Sequence, residues 1–333
     1  MSTKKELVRK AFHNEKTERI PVGFWHHFVA AENFNAALQN PEIIEQNLAG
    51  TKKYKEAFDP DFVKVMTDGL FTIPYDFSDI HSAADLKKLQ PIAEDHPWIE
   101  ASVKLAKSVR EIYGDDILIF FNIFSPLVQL RNGYRKTVGL DPRKDPINEL
   151  LKEDASAVAD ALNLIANDLT KLIKKVIGAG LADGIYLSVS NGKKISEADY
   201  TSYVKPSELA VLAAANEVAE DNILHICGYA GQQNFLSVYQ DYTASVINWA
   251  VFADGLSLKE GKEFFGGKAV IGGFDQTTES ILYKGSREEI EKAIDGILSD
   301  AGDVGVILGA DCTIPADTPI EHIKWVREKV ASL

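Results

Sequence analysis

"ILHICGYAG", residues Ile223 to Gly231, decides how this chain is read. Its first five residues make a short, nearly apolar run of the kind that forms a strand buried on both faces. Residues two apart on a strand point to the same side. His225 and Cys227 therefore share a face, at the C-terminal end of the strand. Seven more runs resemble it: Ile20–Trp25, Phe62–Met66, Ile117–Phe121, Gly184–Ser188, Val246–Trp249, Ala269–Phe274 and Val304–Gly309. Helical patterns lie between most of them. "PWIEASVKLAKSVREIYG" (97–114) and "ASAVADALNLIANDLTKLIKKVIGAG" (155–180) are the clearest, and the second ends in helix-stopping glycines.

Eight strands with intervening helices predict an α/β protein, a (β/α)8 TIM barrel. Helical insertions, "PEIIEQNLAGTKKYKEAF" (41–58) among them, stretch the first β/α units. Ser286 with Glu289 forms a capping box before one late helix, and Thr318, Pro319 and Glu321 are expected to start the last. The rival is a doubly wound open sheet, but no glycine-rich phosphate loop follows any of the strands. With no low-complexity linker and no internal repeat, one domain over residues 1–333 is the economical reading.

Composition narrows the partners. The chain of 333 residues is 45% hydrophobic and 26% charged, a globular balance that can bury a core without disulfides. Its net charge of -13 opposes binding to nucleic acid or an anionic membrane surface. The N-terminal stretch has no apolar core of signal-peptide length, and the longest apolar runs are too short to span a bilayer. A cytoplasmic location with reduced cysteines is expected.

The chain holds two cysteines. The second, Cys312 in "LGADCTIPADTP", follows the last strand and so falls on the same rim as Cys227, the C-terminal face on which barrels carry their active sites. Two readings stand: buried thiols beside a buried imidazole, or His225, Cys227 and Cys312 as three ligands of a tetrahedral zinc with its fourth position open. A zinc with two thiolates and a neutral imidazole carries a net charge near zero. That favours a bound, still nucleophilic substrate thiolate over water activation.

Other candidates surround these. His26 and His27 follow the first strand and, being adjacent, cannot both face a pocket. His13, His81, His96 and His322 read as surface residues. Asp68, Asp254, Asp275 and Asp311 lie near strand ends, where an N-cap or loop role is the ordinary one. Asp68 and Asp275 are the preferred catalytic carboxylates, as substrate contacts, ligand-orienting groups or a proton donor.

Along nearly its whole length the chain resembles the uroporphyrinogen decarboxylase superfamily, whose fold is also a (β/α)8 barrel. The resemblance rests on "ERIPVGFW", "FSPL", "HICG", "IGGFDQTTESILYKGSREEI" and "GADCTIPADTPIEHI". The decarboxylases proper carry an arginine-rich Arg-Gln-Ala-Gly-Arg segment after the first strand and work without metal. Here that place reads "GFWHHFVAAEN", without arginine, and "GADC" stands for their Gly-His-Gly. Their tyrosine after the third strand falls near Asn132, which with His26 and His27 makes the expected substrate contacts, while their aspartate after the second strand matches Asp68.

The corrinoid-dependent methyltransferases of the superfamily, such as methylcobamide:coenzyme M methyltransferase, have a His-x-Cys in the fifth strand and a Cys shortly before a Thr-Pro-started last helix. His225, Cys227 and Cys312 match that pattern. The resemblance thus implies a zinc enzyme that moves a methyl group from a methylcorrinoid to a thiol. No Asp-x-His-x-x-Gly stretch is present, so the corrinoid is expected on a partner protein. A homodimer is one assembly that the resemblance implies. The alternatives are a metal-free decarboxylase of a tetrapyrrole or smaller acid, and a non-catalytic barrel that binds zinc and thiol.

Overall fold

The computed structural model describes residues 2–67, 69–138 and 145–333, the side chains of 136–138 excepted. Among these, seven strands form one parallel sheet in chain order: β1 (Phe62–Val65), β2 (Leu118–Phe124), β3 (Gly184–Val189), β4 (Ile223–Ile226), β5 (Val246–Trp249), β6 (Ala269–Phe274) and β7 (Val306–Ala310). Each strand pairs in parallel with the next, and helices fill the crossovers. The sheet curls into the expected TIM-barrel fold.

The stretch expected as the first strand, Ile20–Trp25, behaves differently. It is reduced to a single bridge between Val22 and Leu308. The Gly23 N–H donates to Leu308 O at 3.0 Å, and the Leu308 N–H donates to Pro21 O at 3.0 Å. On the other side the Asp61 N–H reaches Val22 O at 3.2 Å. This segment closes the ring between β7 and β1, but Pro21 has no N–H to extend a ladder. A side chain takes over part of the work: buried Asp61 accepts the Val22 N–H at 2.9 Å and a two-pronged ion pair from Arg19 at 2.6 Å on each arm.

The pleat sorts each strand's residues between two environments. Phe62, Phe120, Tyr186, Ile223, Val246, Ala269, Ile271 and Ile307 pack with one another in the barrel interior. Helix Lys4–Phe12 closes the bottom by adding Val8, Ala11 and Phe12 to that cluster. The intervening residues, such as Ile119, Ile185, Leu224, Ile247 and Val270, face the outer helices. Near the seam, Val22, Phe24, Leu308 and Ala310 pack on helices Arg287–Ala301 and Ile320–Ala331.

Helix signals fared unevenly. The Ser286–Glu289 capping box is present. The Thr318 cap is not: the last helix starts at Ile320 with no side-chain cap, and Thr318 Oγ1 is buried without a partner among the described residues. The insertion after the first strand is the helix Glu42–Phe58. The long helical stretch predicted from residue 155 begins where Asp154 leaves helical geometry and its carboxylate accepts the Ala157 N–H at 3.0 Å. No helix among the described residues is long and apolar enough to cross a membrane.

Candidate metal centre

His225 lies on β4 in register between Ser188 of β3 and Asn248 of β5. It is buried, as an inward-pointing strand residue should be. Cys227 follows the last residue of β4, yet its N–H donates to Val189 O at 2.8 Å, so pairing with β3 continues through it. The Cys227 carbonyl accepts from Asn234 Nδ2 at 3.0 Å. Cys312 stands two residues past β7, and the Ile314 N–H donates to Trp25 O at 3.0 Å, tying the Cys312 loop to the closing segment.

The three side chains converge. Cys227 Sγ and Cys312 Sγ are 3.8 Å apart, and Cys312 Sγ is 3.6 Å from His225 Nε2. All three ligand atoms lie within 4.8 Å of one another. These separations can be compared with a tetrahedral zinc, whose sulfurs sit at about 2.3 Å and whose imidazole nitrogen sits at about 2.0–2.1 Å. Tetrahedral angles then place the two sulfurs about 3.8 Å apart, and nitrogen and sulfur about 3.6 Å apart. The donor set fits the ion in chemistry and in spacing.

Its surroundings hold the Cys312 sulfur as a thiol in the metal-free chain. The Cys312 thiol is pushed well above its ordinary range, first by its contact with Cys227, then by burial and by the charge Cys227 would carry. His225 opposes this less strongly. A divalent ion reverses the balance, because it stabilises the thiolates it binds.

Behind the imidazole lies a polar cluster that the sequence did not announce. His225 Nδ1 is 2.6 Å from Asn248 Oδ1. The Tyr186 hydroxyl donates to the same oxygen at 2.8 Å, and the Tyr186 ring stacks on the imidazole with centroids 5.1 Å apart. Asn248 Nδ2 donates to the carbonyls of Ile271 at 2.9 Å and Ala310 at 3.2 Å. Lys64, also buried, holds its ammonium 4.8 Å from the centre of the Tyr186 ring. The one available signal for Asn248 was an amide inside the otherwise apolar "VINW".

A second asparagine secures Cys227. Asn234 Oδ1 accepts the N–H groups of Asn191 and Gly192 at 3.1 Å each, and its own N–H donates to Asp254 Oδ1 at 2.7 Å. Asp254 is thus a loop strut. Gly228, next to Cys227, has no Cβ for a spatial reason: one would lie 2.1 Å from the Ala250 Cβ. The loops after β4 and β5 therefore pack directly on each other.

The remaining candidates occupy varied positions. Asp311 is buried beside Cys312 and accepts the Phe252 N–H at 2.9 Å. Burial, helped by the charges of Asp275 and Cys312, pushes its carboxyl up to about 8 against the pull of backbone N–H groups. Asp275 is half-buried and accepts the N–H and hydroxyl of Thr277 at 2.9 and 2.6 Å, an ordinary loop arrangement. His26 is half-buried among Phe28 and Tyr54, with ring centroids 4.7 and 5.2 Å away, and burial lowers its pKa. His27 packs 4.8 Å from Phe34. Neither histidine belongs to the converging group. Asn132 is exposed on helix Pro126–Val138. Asp68 lies outside the described residues.

Residues 72–333 match the uroporphyrinogen decarboxylase (URO-D) family. The chain belongs to that family. Among solved structures it is similar to a methyltransferase from Methanosarcina mazei, at 18% identity and a TM-score of 0.70, over 100% of this chain and 99% of that one. It is also similar to a B12-independent methionine synthase from Shewanella, at 14% identity and a TM-score of 0.57, over 95% and 100% of the two chains. A vitamin-B12-independent methionine synthase from Listeria monocytogenes, described as putative, aligns at 12% identity and a TM-score of 0.51, over 95% and 97%. At these identities the likeness concerns the fold. No match to a curated protein sequence was found.

Proposed function

We propose that this chain is a zinc-dependent methyltransferase, which moves a methyl group from a methylated corrinoid, carried by a partner protein, to a small thiol. The observation that carries the reading is the spacing of the donors: 3.8 Å between sulfurs and 3.6 Å from the Cys312 sulfur to the imidazole nitrogen, two edges of a zinc tetrahedron, with all three ligand atoms within 4.8 Å of one another. His225, Cys227 and Cys312 would hold the ion and leave its fourth position to the substrate. Zinc, when bound there, supplies a Lewis acid that keeps an acceptor thiol deprotonated at neutral pH.

The protein's own residues do the rest. β4 and the loop after β7 hold the donors at the barrel mouth, where a donor carried by another protein can approach. The acceptor sulfur forms a bond to the methyl carbon while the cobalt–carbon bond breaks, leaving its electron pair on the corrinoid. The acceptor's proton has left beforehand. Asp68 and Asp275 are assigned to shaping the pocket, and one of His26 and His27, with Asn132, to substrate contact. The Methanosarcina methyltransferase of the same fold supports the class of reaction.

Metal analysis of protein purified without chelator, wild type against Cys227→Ser and Cys312→Ser, tests the reading. Near-stoichiometric zinc that both variants lose supports it. Metal-free wild-type protein overturns it and favours the metal-free decarboxylation for which the family is named. Zinc-loaded protein that produces no thioether from methylcobalamin and a panel of thiols would leave a binding barrel in its place.

A further inference from the structure

We infer that Asn248 is a positioning residue that locks His225 in the Nδ1–H tautomer and so aims the Nε2 lone pair at the two cysteines. This rests on the metal reading above only for its consequence. The tautomer itself follows from hydrogen bonding in the metal-free chain.

The argument starts at two backbone carbonyls. The oxygens of Ile271 and Ala310 can only accept, and both face the side-chain amide of Asn248, at 2.9 and 3.2 Å. The group they meet must be the NH2, because the flipped amide would set its oxygen against two other oxygens. Oδ1 is therefore turned the other way, toward Tyr186 and His225. It accepts the Tyr186 hydroxyl proton at 2.8 Å. At 2.6 Å from an oxygen that can only accept, His225 Nδ1 has to carry a proton. In a neutral imidazole the lone pair then belongs to Nε2, the atom 3.6 Å from Cys312 Sγ.

All four hydrogen-bonding positions of the amide are thus filled, in a residue with no exposure to solvent. Rotating it would sacrifice every one of them, so the orientation is held from four sides. The anchors come from β3, β4, β6 and the end of β7, while Asn248 itself is on β5. The imidazole is thereby oriented by five strands of the barrel. The partner is neutral. A carboxylate there would make the imidazole a stronger donor to the metal, whereas an amide directs the ring without adding charge.

Two measurements test this. In 15N-histidine-labelled, metal-free wild-type protein, two-bond proton–nitrogen correlation spectra should show the His225 signal, assigned by its loss in His225→Ala, as the Nδ1–H tautomer. An Nε2–H signal would overturn the inference, and it would do so whether or not the protein binds zinc. Zinc affinity, by competition with a chromophoric chelator, should fall about 10–100-fold in Asn248→Leu, the range typical of losing a group that orients a metal ligand. In Tyr186→Phe, which keeps the His225–Asn248 bond, the Nδ1–H tautomer should persist. A folded Asn248→Leu with wild-type affinity and an unchanged tautomer would also overturn it. Should Asn248→Leu fail to fold, the wild-type spectrum decides alone. Wild-type protein that carries no zinc after purification without chelator, yet shows the Nδ1–H tautomer, would sink the metal reading and leave this one standing.

Discussion

Cys227 and Cys312, 85 residues apart in sequence, hold their sulfurs 3.8 Å from each other. A disulfide needs about 2.05 Å between sulfurs and a suitable backbone separation. Metal-stripped protein treated with one equivalent of hydrogen peroxide should form this bond, two thiols giving one disulfide and the peroxide giving two waters. Thiol titration and peptide mapping should show two thiols lost together. Zinc-loaded protein should keep both, and peroxide consumption without the Cys227–Cys312 peptide would refute the expectation.

Metal uptake should be steeply pH-dependent. Binding requires two thiols to ionise, and the contact with Cys227 and burial hold the Cys312 proton firmly. Below the thiol pKa values each proton displaced costs a factor of ten per pH unit, so conditional zinc affinity should fall about 100-fold per unit. Chelator competition between pH 6 and 7.5 reads the slope directly. A pH-independent affinity would show that the thiols are not the ligands.

Asp183 links pH to stability at the barrel's bottom. Its carboxylate accepts from Lys5 at 2.7 Å, Arg110 at 2.6 Å and the Ile119 N–H at 2.9 Å. Burial alone would raise its pKa, but these three donors outweigh burial and the net shift is downward. A carboxylate with a folded pKa below its unfolded one stabilises fully above the unfolded value, about 3.9. That contribution is lost as the pH falls through the folded value. Asp183→Asn should lower stability by about 2 kcal/mol at neutral pH, the scale of a charged hydrogen-bonded group. The deficit should shrink in urea melts toward pH 3; a deficit equal at both pH values would contradict the assignment.

Gly228→Ala probes the packing that holds the Cys227 loop. The added methyl would lie 2.1 Å from the Ala250 Cβ, so one loop must move. A stability loss of about 1–3 kcal/mol is expected, as for overpacking elsewhere. Zinc affinity should fall with it, because Cys227 is the adjacent residue. An unchanged melt and unchanged metal binding would mean that the two loops part without cost.

The legible part of the fold and site depended on period. Two-residue alternation places His225 and Cys227 on one face, and the strand–helix rhythm places Cys312 on the same rim. Asn248 was not legible, since its importance lies in four partners from strands distant in sequence. The Ile20–Trp25 stretch has a strand's apolar pattern, but Pro21 cannot donate to a ladder and a single bridge forms there. Thr318 shows the opposite limit, a good capping residue whose buried hydroxyl has no partner among the described residues. The preferred carboxylate Asp275 turned inward on its own loop through Thr277, a local bond that competes with any longer reach.

The seam of the barrel has a mechanical consequence. His225 and Cys227 hang from β4, laddered on both sides. Cys312 follows β7, whose outer neighbour is joined by one bridge and whose loop is pinned to Trp25 of that same neighbour. Two donors thus sit on the frame and the third beside the clasp. Loosening the clasp would swing Cys312 outward while the other two stay in place, giving a metal a way in and out without unfolding the barrel. Hydrogen exchange should then release the Gly23 and Leu308 amides well before those of Leu224 and Ile226, and bound zinc should slow the first pair most.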